Sequence, residues 1–233
     1  MNYTLPVTVI TPVFNEEEII ESSVAINLEL LRQSNLDFEI LIIDDGSKDR
    51  SAKIIDDCFA SVPEIKVIHK SQNGGIGSAM KLGIAHAQKD FILCVPADSP
   101  LTEEILSAFI SASDKADIIV SYRTERKGYS LRMKFNSVVF QILVRNIFGI
   151  QLRDFNWIHM YHRKIFSENG IQITSKGVFM LAEVLIAAKR KGVSIFEIPV
   201  KSSQRFTGVA TAAKWSTVFK TLKEMKAYYF NHV

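Results

Sequence analysis

The sequence predicts an α/β fold, one mostly parallel sheet with helices on both of its faces. Two observations predict it. Over about the first 120 residues, short apolar runs alternate with helical patterns through short connections. Two of the early runs also stop at polar or acidic residues that lead straight into a helix, at Pro12-Val13-Phe14-Asn15-Glu16 and at Asp44-Asp45-Gly46-Ser47. In an open parallel sheet such strand ends gather at the carboxyl edge, where ligands bind.

Each element has a local reason. Residues 7–11 form an apolar, β-branched run that suits a buried strand. Residues 16–33 read as a helix whose first turn holds Glu16, Glu17 and Glu18, where carboxylates complement the helix dipole. Residues 38–43 are the next strand, and Ser47 and Asp49 are cap candidates for a helix running to about residue 60. A third strand at 65–69 precedes the turn Asn73-Gly74-Gly75 and a helix over 76–87. The strand 91–95 breaks at Pro96-Ala97-Asp98-Ser99-Pro100 before a helix capped by Thr102, and 117–121 is a fifth strand. Beyond it the pattern predicts a helix over 131–148, an extended segment over 157–161, a helix over 178–191 and a strand over 193–200. The last segment sets Trp215, Val218, Phe219, Leu222, Met225 and Tyr229 at helical spacing, with Lys220, Lys223 and Lys226 elsewhere on the wheel. No repeat, low-complexity tract or linker interrupts this order, so one domain over residues 1–233 is expected.

Composition narrows the class. With 47% apolar and 23% charged residues the chain is globular and long enough for a full core. A net charge of +3 does not point to nucleic acid. The charge is unevenly spread, however. Residues 123–145 hold six Lys or Arg against one Glu, and residues 201–226 again six against one. The second half therefore suits phosphates or an anionic surface. Cys58 and Cys94 lie in separate apolar segments, which predicts buried free thiols in a reducing compartment. The first residues lack the basic start and apolar run of a signal peptide. No window of about 20 residues is free of charge, so membrane contact is expected through a surface or another protein.

The chemistry-bearing residues cluster at strand ends. Asp44 and Asp45 follow four apolar residues, and carboxylates accept hydrogen bonds from ribose hydroxyls or a base N–H. An Asx turn competes with that role, but Asn15 and Glu16 at the neighbouring strand end favour a ligand. Asn73-Gly74-Gly75-Ile76-Gly77, between strand and helix, suits backbone N–H groups aimed at a phosphate. Met80 stands where a nicotinamide fingerprint needs its third glycine, so that cofactor is not expected. Asp98 is open to two readings, a turn residue or a hard-oxygen ligand for a divalent cation bridging a diphosphate. Arg123, Arg132 and Arg205 fall in the basic tracts. Arg205 lies in Ser202-Ser203-Gln204-Arg205-Phe206-Thr207-Gly208, which has no acid to pair with it and suits bidentate phosphate binding. Asp154 follows Arg153, leaving an ion pair or turn and a catalytic role both open. His159 and His162 are not at ligand spacing and are expected in packing roles. There is no nucleophile elbow, Cys/His zinc cluster or Walker loop.

In order and spacing, Val9-Ile10-Thr11-Pro12-Val13-Phe14-Asn15-Glu16, Ile43-Asp44-Asp45-Gly46-Ser47-Lys48-Asp49 and Asn73-Gly74-Gly75-Ile76-Gly77 resemble glycosyltransferase family 2, with its GT-A fold. Ser121-Tyr122-Arg123, the tract around Asp154, and Phe196-Glu197-Ile198-Pro199-Val200 to Arg205-Phe206-Thr207-Gly208 are similar to its polyprenyl-phosphate branch, that of dolichol-phosphate mannose synthase. The resemblance implies an inverting transfer of a hexose from a nucleotide diphosphosugar to a polyprenyl phosphate. Residues 1–121 would be the nucleotide-sugar half, 122–213 the acceptor side and 214–233 an amphipathic helix. Pro12, Phe14, Glu16, Asp44, Asp45, Asn73, Ala97 and Asp98 would line the donor pocket. Arg123, Arg132 and Arg205 would hold donor and acceptor phosphates, and Asp98 and Asp154 would serve catalysis. It also implies a divalent cation, Mg or Mn, at Asp98.

The chain departs from that pattern. Pro96 replaces the first Asp of the metal motif, Pro100 replaces a further polar residue, and Ile76 stands where Lys or Arg is frequent. The branch's membrane helices have no counterpart in these residues. Either the helix near residues 214–229 lies on the bilayer or packs on the core, or a separate subunit anchors the protein on the cytoplasmic face. The rival functions are a family member with a saccharide acceptor, where Asp154 would act as base, and a non-catalytic nucleotide-sugar-binding subunit.

Overall fold

The computed structural model describes residues 5–125, 131–201 and 215–232. The chain runs β1 (Pro6–Val13), α1 (Ile20–Gln33), β2 (Asp37–Asp44), α2 (Ser51–Phe59), β3 (Ile65–His69), α3 (Ile76–His86), β4 (Phe91–Cys94) and α4 (Glu103–Ala112). It continues through β5 (Ile118–Arg123), α5 (Leu131–Phe148), β6 (His159–His162), α6 (Lys164–Ser167), α7 (Phe179–Arg190), β7 (Ile195–Val200) and α8 (Trp215–His232). The strands form one sheet in the order β3-β2-β1-β4-β6-β5-β7. Every pairing is parallel except those of β6, which runs antiparallel to both β4 and β5. The expected mostly parallel α/β sheet is thus observed, with one reversed strand near its middle.

The side-chain alternation of the strands explains why both faces are covered. Val9, Ile40, Ile42, Leu93 and Ile119 share one core cluster with α1, α2 and α4. Their neighbours Ile10, Leu41, Ile43, Ile92 and Ile118 share the other with α3, α7 and α8. A strand buried on both faces must be apolar at consecutive positions, as Ile40 to Ile43 are.

Three local expectations change. α1 begins at Ile20 rather than Glu16, because the Ile19 and Ile20 amides both donate to the Glu16 carbonyl at 3.0 and 2.9 Å and make a turn ahead of the helix. α2 begins at Ser51, whose N donates to Asp49 Oδ1 at 2.9 Å, whereas Ser47 turns away to the β1 tip. Thr102 does cap α4, its Oγ1 accepting from Ile105 N at 3.3 Å. In α8 the buried face is Thr221, Met225 and Tyr228, while Phe219 is 67% exposed. The apolar wheel position alone misplaced Phe219, because α8 meets the rings of Phe148 and Phe179 through Tyr228.

Candidate functional site

The strand order places a switch point beside β1. β2 and β3 extend to one side of it and β4 lies on the other, so the chain diverges there and leaves a crevice at the carboxyl ends. Val13 of β1 stands opposite Asp44 of β2, and Val95, just past β4, donates to the Ile10 carbonyl at 2.9 Å. The tips carrying Phe14, Asp44 and Asp98 are therefore side by side.

The β1 and β2 tips are laced together. Asn15 N donates to Ser47 Oγ at 3.0 Å, Lys48 N to Asn15 Oδ1 at 2.7 Å, and Glu16 N to Ser51 Oγ at 2.8 Å. Arg50 N donates to Glu17 Oε2 at 2.9 Å. Asn15 has φ of 56°, a left-handed conformation that an Asn tolerates and that surrounding bonds must hold. The loop is thus preorganised, with Phe14 40% exposed. Pro12 is half-buried at the end of β1. Asp44 is buried, with Oδ1 accepting from Ser47 N and Oδ2 facing His69 Nδ1, both at 2.9 Å.

Asp45 faces the glycine turn. Its carboxylate accepts from Lys70 Nζ, from Gly74 N at 3.0 Å and from Gly75 N at 2.7 Å. Asn73 Oδ1 also accepts from Gly75 N, at 3.1 Å, and Gly77 N donates to the Lys176 carbonyl at 2.8 Å. This corrects the expectation that the turn aims its amides at a phosphate, because those of Gly74, Gly75 and Gly77 already have protein acceptors. The glycines serve close packing instead. A Cβ on Gly77 would overlap the Ser175 carbonyl oxygen, and one on Gly75 that of Lys176. The 174–177 loop that presses on this turn is held from behind by two carboxylates. Buried Glu183 accepts from Thr174 N at 2.8 Å and Ser175 N at 2.9 Å, and Glu224 accepts from Gly177 N at 2.8 Å.

On the far side of β6, Arg123 and Asp154 come together. Arg123 Nη2 lies 2.8 Å from Asp154 Oδ2, with side chains 4% and 3% exposed, and its guanidinium stands 4.6 Å from the Trp157 ring centroid. Sequence adjacency had suggested Arg153 as the partner of Asp154. Arg153 instead stacks on Tyr122 at 4.5 Å and donates to its hydroxyl. Trp157 Nε1 and Asn156 Oδ1 are buried beside this pair with no hydrogen-bond partner. β6 begins where β5 and β4 end, so this cluster shares the carboxyl edge with Asp98. At roughly 4.8 Å per strand, β2 to β5 spans roughly 19 Å.

Other expected site residues sit less directly. The Ala97 methyl is buried in the core, leaving its backbone toward the edge. Arg132 is exposed on α5, and Arg205 lies outside the described residues. Sequence reading passed over His69, Lys70 and Trp157, and the only local signal was their place at or just after a strand end or before a strand. His159, expected to pack, is wholly buried beside Tyr161, and burial pushes it down to about 4. Among the described residues no three His, Cys, Asp or Glu side chains gather to hold a metal ion. Asp98 offers one hard oxygen donor. A single carboxylate would hold a divalent cation only with further ligands from outside the protein.

The description "Glycosyl transferase family 2" matches residues 8–170. An undecaprenyl-phosphate 4-deoxy-4-formamido-L-arabinose transferase of Pectobacterium carotovorum is 31% identical over 165 residues, 69% of this chain and 50% of that protein. Its namesake in Shewanella sediminis is 27% identical over 206 residues, 87% of this chain and 60% of its own. The chain spans about half the length of the curated relatives it matches. Among solved structures, glucosyl-3-phosphoglycerate synthase from Mycobacterium tuberculosis, in complex with Mn2+, UDP and phosphoglyceric acid, superimposes with a TM-score of 0.74 at 16% identity. The match covers 97% of this chain and 78% of that one.

Proposed function

This chain belongs to glycosyl transferase family 2, with a GT-A fold, and from that premise we propose that it moves a hexose from a nucleotide diphosphosugar to a polyprenyl phosphate at a membrane surface. The observation that carries the reading is the meeting of the Phe14, Asp44 and Asp98 tips at the switch point, with Arg123 and Asp154 farther along the same edge. Phe14 stacks on the base, Asp44 accepts from the nucleoside, and Pro12, Glu16 and the Ala97 backbone complete the pocket. Asp45 and Asn73 shape its wall by holding the glycine turn. Asp98 would hold a divalent cation, Mg or Mn, which would supply charge neutralisation to the leaving diphosphate.

The acceptor side follows from the same edge. Arg123, with Arg132 and Arg205 from the basic tracts, draws anionic phosphate toward the crevice. A phosphate oxygen attacks in its ionised form, so the reaction requires no proton transfer to Asp154. Asp154 instead fixes the Arg123 guanidinium beside the Trp157 ring. Placement and charge neutralisation then supply the rate. Two relatives named for undecaprenyl-phosphate support the acceptor class.

The surface supports a peripheral membrane position. No helix among the described residues is long and apolar enough to cross a membrane. Phe135, Val138 and Ile142 are exposed along α5, and Phe219 and Phe230 on α8. These helices meet at a groove of about 380 Å³ lined by Ile147, Met225, Lys226 and Tyr229. The lysines of α8 suit anionic headgroups. The test is incubation with a panel of radiolabelled nucleotide sugars and a short-chain polyprenyl phosphate. Labelled lipid is the expected product. Normal nucleotide binding with no transfer to any acceptor would assign a binding subunit instead, and label on a free saccharide would move the acceptor class.

A further inference from the structure

His69 closes β3 directly opposite Asp44 in the parallel register. Its two ring nitrogens face two carboxylates, Nδ1 to Asp44 Oδ2 at 2.9 Å and Nε2 to Asp56 Oδ1 at 3.0 Å. An ionised carboxylate only accepts hydrogen bonds, and a neutral imidazole carries a single N–H. Both contacts are hydrogen bonds only when the ring is an imidazolium donating at each nitrogen. The charged groups facing the ring are Asp44 from β2 and Asp56 from α2. The neighbouring Lys53 and Asp57 pair with each other at 2.6 Å, and Lys70 is taken by Asp45.

The two partners differ in their surroundings. The Asp44 side chain is 4% exposed and its other oxygen is held by the Ser47 amide, whereas the Asp56 side chain is 57% exposed. Asp56 is a solvent-side counter-charge for the ring, and Asp44 is the group the ring orients. We propose that His69 is a positioning residue of the donor site, an imidazolium that holds Asp44 in the orientation accepting a hydrogen bond from the nucleoside, so that its deprotonation weakens nucleotide binding. The proposal rests on reading the crevice between the β1 and β2 tips as that donor site.

The direction in pH follows from the contacts. Burial favours the neutral ring, but the bonds to Asp44 and Asp56 outweigh it and raise the His69 pKa above its ordinary 6.5. A group raised in this way exerts its effect fully at low pH and loses it as pH rises through the raised value. On deprotonation the ring keeps one N–H. Asp56 can turn to water, and the bond to Asp44 survives only in its weaker neutral form.

The test measures binding of UDP, GDP, CDP and dTDP by calorimetry from about pH 6 to about pH 9, alongside nitrogen-15 NMR of the imidazoles assigned with His69→Asn. For the diphosphate that binds, affinity should fall about three- to tenfold across the His69 titration, the range for one partly exposed charge-assisted hydrogen bond. His69→Asn should lower affinity at about pH 6 by the same factor and flatten the profile. Asp56→Asn, changed at an exposed side chain outside the crevice, should move the NMR and binding midpoints down together. A neutral His69 at the acidic end, or affinity unchanged through its titration, overturns the inference while the donor site stands. Failure of all four diphosphates to bind at any pH removes the donor-site reading and this inference with it.

Discussion

Replacing Arg123 by Met is the sharpest probe of how the acceptor side is built. The guanidinium and the Asp154 carboxylate lie 2.8 Å apart with side chains 4% and 3% exposed. At an effective dielectric of about 20 their gross attraction is about 6 kcal/mol. The desolvation of both groups offsets most of that, so the pair adds little net stability over an apolar pair. Removing one partner is different, because the buried group that remains loses this counter-charge, at a cost of about 3–5 kcal/mol. Loss of the contact with the buried Trp157 ring, 4.6 Å away, adds about 2 kcal/mol. A total near 6 kcal/mol is a large share of the roughly 5–15 kcal/mol that a domain possesses, and at about 2–4 °C per kcal/mol it lowers Tm by about 12–24 °C. Urea unfolding followed by circular dichroism reads this directly for Arg123→Met, Asp154→Asn and the double variant. The double variant should cost less than the sum of the two singles, since each single already removes the one contact the two groups share. A loss below about 1 kcal/mol in Arg123→Met, or strict additivity, would refute the pairing argument.

Two further outcomes follow from other parts of the molecule. Gly77→Ala drives a Cβ into the Ser175 carbonyl and disturbs the 2.8 Å bond from Gly77 N to Lys176 O; it should cost about 2–4 kcal/mol in urea unfolding, and an unchanged midpoint would show that the 174–177 loop yields freely. His159 is buried neutral, pushed down to about 4 from 6.5, so the unfolded state binds its proton first as pH falls. Stability should therefore decline from about pH 6.5 toward pH 4, by about 3 kcal/mol from this group. His159→Gln should remove that part of the acid sensitivity, and an identical pH profile in the variant would count against it.

The elements of the first half were legible because strands buried on both faces require consecutive apolar or β-branched residues, and Val7 to Thr11 and Ile40 to Ile43 supply them. Their abrupt polar endings also placed Phe14, Asp44 and Asp98 at one edge, since parallel strands end together. The reversed direction of β6 was not legible. An extended run reads alike in either sense, and the path back from α5 sets which one is built. On α8 the spacing found Leu222 and Met225 but misplaced Phe219 and passed over Tyr228, because helical spacing locates an apolar stripe but not the partner it meets.

The amino-acid order alone settled the α/β class, the strand ends and the candidate edge, all of which follow from periodicity within a few residues. Folding in three dimensions assigned each polar group its partner. Asp45 took the glycine turn and Lys70, Asp154 took Arg123, and Asp44 took His69, across sequence separations of 25 to 31 residues. A hydrogen bond or ion pair is fixed by distance and burial, and neither is encoded by neighbours along the chain.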